Sequence, residues 1–201
     1  WVVPMGGSAW LGSIGFVAAA FELAEQLRSH KLPAPGRVYG GAGTMGTAAG
    51  LALGFALAGL DCEVHAVRVS DTWLTNETAL GRLLRKTATM MRCHDPAIPE
   101  ALEKRAKICL REEFFEPGYA ESNAAADEAI DIGRRELGLT LEATYTGKTL
   151  ACLIADLRDR TAGSRPLYWH TYHSEPLGVP ADRPLDNDRL PAEFRRYFSA
   201  A

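Results

Sequence analysis

The apolar positions of this 201-residue chain fall into blocks with two different periods. Leu11, Ile14, Val17, Phe21, Ala24 and Leu27 recur at steps of three and four, the spacing of one helical face, and predict a helix ending near His30, ahead of Pro33 and Pro35. Before it, Trp1 to Pro4 reads as a buried strand, and Gly6-Gly7-Ser8 as a turn that ends in a helix N-cap. Arg37 to Tyr39 reads as a short strand, Gly40 to Gly46 as a glycine-rich loop, Thr47 to Leu60 as a second helix and Glu63 to Val69 as a β-branched strand. Alternation of strand and helix in this order favours a parallel sheet covered on both faces.

The middle of the chain reads as helical, with Leu80, Leu83, Leu84 and Met90 marking one amphipathic stretch and Leu102, Ala106 and Cys109 another. Residues from about 72 to 117 are therefore expected to form a helical insertion with no chemistry of its own. Two further helices follow, Ser122 to Leu137 and Lys148 to Arg160, and then a final strand, Leu167 to His170. From Glu175 on, the prolines at 176, 180, 184 and 191 indicate an extended tail. The expected fold is α/β: an open, mostly parallel sheet with helices on both faces over residues 1–174, and a C-terminal extension over 175–201.

Composition narrows the partners. A net charge of -3 argues against nucleic acid, because a surface that tracks phosphates carries a basic excess. The most cationic stretch, Arg82 to Arg111, is read as a solvated helical face. The segments 1–21 and 38–60 carry almost no charge, but Pro4, Gly6 and Gly7 interrupt the first. The second holds an apolar helix of about fourteen residues, short of the ~20 that a bilayer needs, so no membrane span is expected. Cys62, Cys93, Cys109 and Cys152 form no C-x-x-C pair and read as reduced thiols of a cytoplasmic protein, with no metal site. The chain opens on Trp1 and not on Met, which suggests a C-terminal portion of a longer protein.

Candidate chemistry centres on Gly43-Thr44-Met45-Gly46-Thr47, between a strand and a helix. Free backbone N–H groups and the helix dipole converge on an anion at such a place, and Thr44 and Thr47 add hydroxyl donors. The small residues could equally serve close packing of helix on sheet. A third reading treats Gly41-Ala42-Gly43-Thr44-Met45-Gly46 as the dinucleotide motif G-x-G-x-x-G, with Asp71 placed as the ribose acid.

Five segments, taken in order, carry a resemblance. Pro4-Met5-Gly6-Gly7-Ser8 with Leu11-Gly12 and Gly15-Phe16 is similar to the P-x-G-G-S-x-x-L-G-x-x-G-[YF] segment of the D-cysteine desulfhydrase and 1-aminocyclopropane-1-carboxylate (ACC) deaminase family. Gly43 to Leu51 resembles that family's G-S-G-G-T-x-A-G-L phosphate loop, Pro117-Gly118-Tyr119 its G-x-G-Y segment, Tyr145-Thr146-Gly147-Lys148 its Y-[TE]-G-K, and His170-Thr171 the start of its H-T-G-G.

The resemblance implies a fold type II enzyme dependent on pyridoxal 5'-phosphate (PLP). The cofactor's phosphate would be held by Gly43, Thr44, Met45, Gly46 and Thr47, and its pyridine nitrogen would face Thr171. A hydroxyl there, in place of a carboxylate, suits elimination over extensive carbanion delocalisation. Tyr145 is implied to lie against the cofactor and act on a small amino-acid substrate, with Tyr119 as a second lining residue. Thr146 stands where ACC deaminases have Glu and D-cysteine desulfhydrases Thr. The implied reaction is therefore α,β-elimination, with ACC-type ring opening as the alternative and a non-catalytic phosphate-ligand domain as a further one. The resemblance also implies a homodimer. The chain departs from the pattern at Tyr172-His173, which replaces two glycines, at Met45, which replaces another, and at Ala9, which replaces a common Asn. The family's cofactor-linking lysine lies upstream of the G-G-S segment, and the lysines at 31, 86, 104, 107 and 148 do not match it. Lys148 is expected to be a surface cation at a helix start.

Overall fold

The computed structural model describes residues 2–173 together with Pro191. Four strands, β1 (Arg37–Ala42), β2 (Glu63–Arg68), β3 (Ile108–Arg111) and β4 (Leu167–Tyr168), run parallel in the order β3-β2-β1-β4. The two central strands are buried on both faces apart from their first residues and Gly41, as expected of the middle of a parallel sheet covered on both sides. Side chains alternate between faces. Val38, Ala42, Val64 and Ala66 join one core with helices α1 (Trp10–Ser29), α2 (Gly46–Ala58) and α3 (Glu77–His94). Tyr39 and Val67 join another, with α4 (Ala124–Leu137) and α5 (Thr146–Arg158). The expected α/β sheet with helices on both faces is what forms.

The order of the strands locates the ligand crevice. From β1 the chain steps outward through α2 to β2 and on to β3, then returns through α4 and α5 to place β4 on the other side of β1. The order reverses between β1 and β4, and in open parallel sheets ligands bind beyond the carboxyl ends of the strands at such a switch point. The loop after β1 is the glycine-rich one, and the segment after β4 contains Thr171.

Several expectations are corrected. Val2 and Val3 are 93% and 76% exposed and pair with no described strand, so the apolar start is not a buried strand; a 3-10 turn over Met5–Gly7 follows it. Ala9, not Ser8, occupies the N-cap of α1. The buried face of α1 is Ser13, Val17, Ala20 and Ala24, while Leu11 and Phe21 lie exposed. The cause is in α2: a Cβ at Gly50 would stand 2.6 Å from Phe16 Cβ and one at Gly54 2.5 Å from Ala20 Cβ, so the two helices meet through small residues.

The region read as a helical insertion contains a strand. Leu102 is buried in a 3-10 turn, and Ile108–Arg111 pairs with Val64–Val67 of β2. A ladder partner some 45 residues away overrides the helical spacing of Leu102, Ala106 and Cys109. The final strand is shorter than expected, although Trp169 N–H still donates to the Tyr39 carbonyl at 2.9 Å. Apart from Pro191, the tail from 175 lies outside the described residues. Among the described residues no helix is long and apolar enough to cross a membrane.

Candidate functional site

At the end of β1 the chain turns through Gly43, Thr44 and Met45 into α2. Met45 holds the N-cap position in the left-handed region (φ 65°), a conformation that costs a side-chain-bearing residue about 1–2 kcal/mol. Burial of its side chain in the core, at 4% exposure, offsets this by about 2 kcal/mol. An apolar N-cap cannot satisfy the free N–H groups of a helix start. Ser8 supplies the acceptor from a distant segment: its Oγ takes the Gly46 N–H at 3.1 Å and lies 2.6 Å from Thr44 Oγ1. The serine read as a cap of α1 is thus a cap of α2.

A cleft of about 240 Å³ opens above this turn. It is lined by Ser8, Gly43, Thr44, Met45, Gly46 and Thr47 on one side and by Tyr145 and Thr171 on the other. The loop therefore shares one site with Tyr145 and Thr171, which lie about a hundred and more residues further along the chain. A Cβ at Gly43 would stand 2.8 Å from Tyr145 Oη, so glycine is required for the ring to lie against the loop. A second cleft, of about 380 Å³, shares Gly43, Thr44 and Tyr145 and adds Tyr119, Asp71 and Trp73. Tyr119 is 53% exposed and stands edge-on to Tyr145, with ring centroids 6.2 Å apart and hydroxyls 3.5 Å apart. Burial, and then the Tyr119 hydroxyl, push the Tyr145 hydroxyl above its usual range, so it is a protonated phenol at neutral pH.

Tyr145 is aimed by the start of α5. Burial alone would raise the Glu142 carboxyl, but N–H groups of Thr146, Tyr145 and Thr144 donate to it at 2.7, 2.8 and 2.7 Å and hold it below the usual carboxylate range. Its charge also complements the helix dipole. Thr146 is buried, with Oγ1 3.1 Å from Glu142 Oε1 and 2.8 Å from the Glu142 N–H that it accepts. Thr146 meets Tyr145, Thr171 and Tyr172 in a shallow depression beside the cleft, so the bulk at 172 does reach the site. Glu142 went unnoticed in the sequence; an acidic residue three and four positions before the first turn of a helix was the available signal.

Lys148 corrects another expectation. It is fully buried, not a surface cation, and Nζ donates to the Phe115 and Gly118 carbonyls at 2.6 and 2.8 Å. Burial lowers its pKa. None of the five lysines lines the cleft between the loop and Thr171.

The dinucleotide reading finds Asp71 near the loop, as it requires, but Tyr145 occupies the space that it needs open. A Cβ at Gly41 would stand 3.3 Å from the tyrosine ring, so both glycines of the G-x-G pair back onto an aromatic side chain instead of a pyrophosphate.

Fold and site together define an α/β domain with a glycine-rich loop at its switch point, faced by a tyrosine and a threonine. No family model matches the chain. Curated D-cysteine desulfhydrases of Salmonella paratyphi B and Salmonella newport are each 33% identical to it over 154 residues, 77% of this chain and 44% of theirs. A crystal structure of an ACC deaminase homologue superposes with a TM-score of 0.65 at 24% identity, covering 85% of this chain and 48% of that one. The chain belongs to the family of the D-cysteine desulfhydrases, and it shares the fold of the ACC deaminase homologue. It spans less than half the length of the curated relatives it matches.

Proposed function

We propose that this chain forms the phosphate-binding part of a PLP-dependent lyase. The whole protein would convert a small amino acid of D configuration bearing a β leaving group, with one water, into a 2-oxo acid, ammonia and the protonated leaving group. The observation that supports this most is the single cleft formed by Gly43–Thr47, Tyr145 and Thr171. The residues fit the cofactor: the loop lacks a Cβ at Gly43 and Gly46, the dipole of a 13-residue helix points at it, and the cleft runs from the loop to a threonine hydroxyl. Gly43, Thr44, Met45, Gly46 and Thr47 would hold the phosphate, and Thr171 would face the ring nitrogen. When bound, PLP supplies the electron sink that lets the α-proton leave.

The chain's own contribution is orientation and a hydrogen-bond donor. Tyr145 reaches over Gly43 with Tyr119 beside it, and its neutral phenol would donate a hydrogen bond to a departing thiolate. Thr146 favours elimination over ring opening, because the family's ring-opening members carry a carboxylate at that position. Assay of the full-length protein against D-cysteine, D-serine, the L forms and ACC tests the reading. Turnover of the D-amino acids is expected. Turnover of ACC alone would overturn the reading of Thr146, and turnover of none would overturn the proposed reaction.

A further inference from the structure

The Gly43 carbonyl is gripped by two side chains that belong to no recognised motif. Ser70 Oγ donates to it at 3.2 Å, Thr75 Oγ1 also donates to it, and the two hydroxyls contact each other. Both come from the segment between β2 and α3, and both are buried, at 5% and 0% exposure. Two hydroxyls bring two protons to three contacts, and every way of sharing those protons leaves the carbonyl with at least one donor. A trans peptide points its C=O and N–H in opposite directions. With the Gly43 carbonyl tied to Ser70 and Thr75, the Thr44 N–H points away from them, and the cleft between the loop and Thr171 is lined by Thr44 but by neither Ser70 nor Thr75. On the other side the Thr44 side chain is held by Ser8.

We propose that Ser70 and Thr75 are positioning residues of the phosphate loop: they fix the Gly43–Thr44 peptide so that it presents an N–H, and not a carbonyl oxygen, to a phosphate. Thr75 lines neither cleft and Ser70 lines only the second, beside Tyr145 and Tyr119, so both act on the phosphate through the peptide. Rotation of that peptide would turn a carbonyl oxygen toward the anion and strand two buried hydroxyls, so the loop is organised before the ligand arrives. The inference rests on the PLP reading of the cleft.

The test compares PLP with pyridoxal, which has the same ring and aldehyde but no phosphate. Equilibrium affinities of both ligands are measured on full-length wild-type protein and on Thr75→Val, Thr75→Ser and Ser70→Ala, with thermal unfolding followed alongside. Thr75→Val should lose about tenfold in PLP affinity, the worth of one well-placed hydrogen bond to a charged group, and change pyridoxal affinity by less than about twofold. Thr75→Ser, which restores the hydroxyl, should regain the wild-type ratio. Ser70→Ala should lower the ratio by about threefold, and carries the test if Thr75→Val does not fold. An unchanged ratio in the folded variants, or equal weakening of both ligands, overturns this inference and leaves the PLP reading standing. Wild-type protein that binds PLP no better than pyridoxal overturns the phosphate reading of the cleft and this inference with it.

Discussion

Asp156 joins α5 to three strands, and its removal should be the costliest single change away from the cleft. Arg111 of β3 donates two hydrogen bonds to its carboxylate, at 2.7 and 2.9 Å, and Tyr39 of β1 a third at 2.7 Å. His65 of β2 lies 3.8 Å from the same carboxylate. Burial would raise the Asp156 carboxyl, but Arg111 and Tyr39 outweigh it and hold the pKa at about 2, down from 3.8. By linkage that depression is worth about 2 kcal/mol at neutral pH. Asp156→Asn, which removes the charge and keeps one acceptor, should therefore cost about 2 kcal/mol. Asp156→Ala also strands Arg111 and the Tyr39 hydroxyl and should cost about 3–5 kcal/mol. For a chain of this size about 2 kcal/mol lowers the melting temperature by roughly 4–8 °C. The sign of the pH dependence follows from the depressed pKa: the contribution is complete above 3.8 and disappears as pH falls toward about 2. Thermal unfolding of full-length wild-type and Asp156→Asn protein between pH 7 and pH 2.5 reads both effects. A variant within 0.5 kcal/mol of wild type at pH 7, at about the scatter of surface substitutions, would refute the reasoning, as would a difference that fails to narrow below pH 4.

Gly43→Ala should lower PLP affinity by about tenfold or more, because its Cβ would meet Tyr145 Oη at 2.8 Å; adding Tyr145→Phe, which removes that oxygen, should recover part of the loss in the same titration. Lys148→Met should destabilise the protein by about 1–3 kcal/mol in urea unfolding and speed proteolysis near 115–118, since two carbonyls lose their buried donor, while the PLP-to-pyridoxal affinity ratio stays put.

What the sequence made legible was local. The strands β1 and β2 and the small-residue segment of α2 each show their structure within a few residues, although Gly40–Ala42, read as part of the loop, extend β1. The errors lie where a partner decides. Nothing in the spacing of Leu11 and Phe21 shows that Gly50 and Gly54 draw α2 against the other side of α1, and the helical spacing around Cys109 does not reveal that His65 pairs beside it. Lys148 sits at the start of a helix, where a charge is ordinarily solvated; two carbonyls contributed from 115 and 118 make it a buried strut. The residues that line the cleft stood in recognisable segments. The hydroxyls of Ser8, Ser70 and Thr75 that hold them were not legible in that role because their targets are backbone groups of another segment, whereas Glu142 caps its own segment and left a local signal that went unread.

The two ends of the cleft are built by separate devices that meet because α5 packs directly against β1. At the loop end, Ser8 and the Ser70–Thr75 pair hold the turn after β1. At the other end, Glu142 pins the first turn of α5 and so sets where Tyr145 reaches, while the Tyr168 hydroxyl donates to the Thr146 carbonyl at 3.0 Å and ties that turn to β4. This arrangement bears on the threonine that separates the two proposed chemistries. Thr146 Oγ1 already stands 3.1 Å from the Glu142 carboxylate, in a buried position. A glutamate there would place a second carboxylate beside the first, and one of the two would have to take up a proton or move. With Glu142 committed to capping α5, the site accommodates a hydroxyl at 146 at no electrostatic cost. Under the proposed function, the contact that aims Tyr145 thus also works against the carboxylate that ring opening would use.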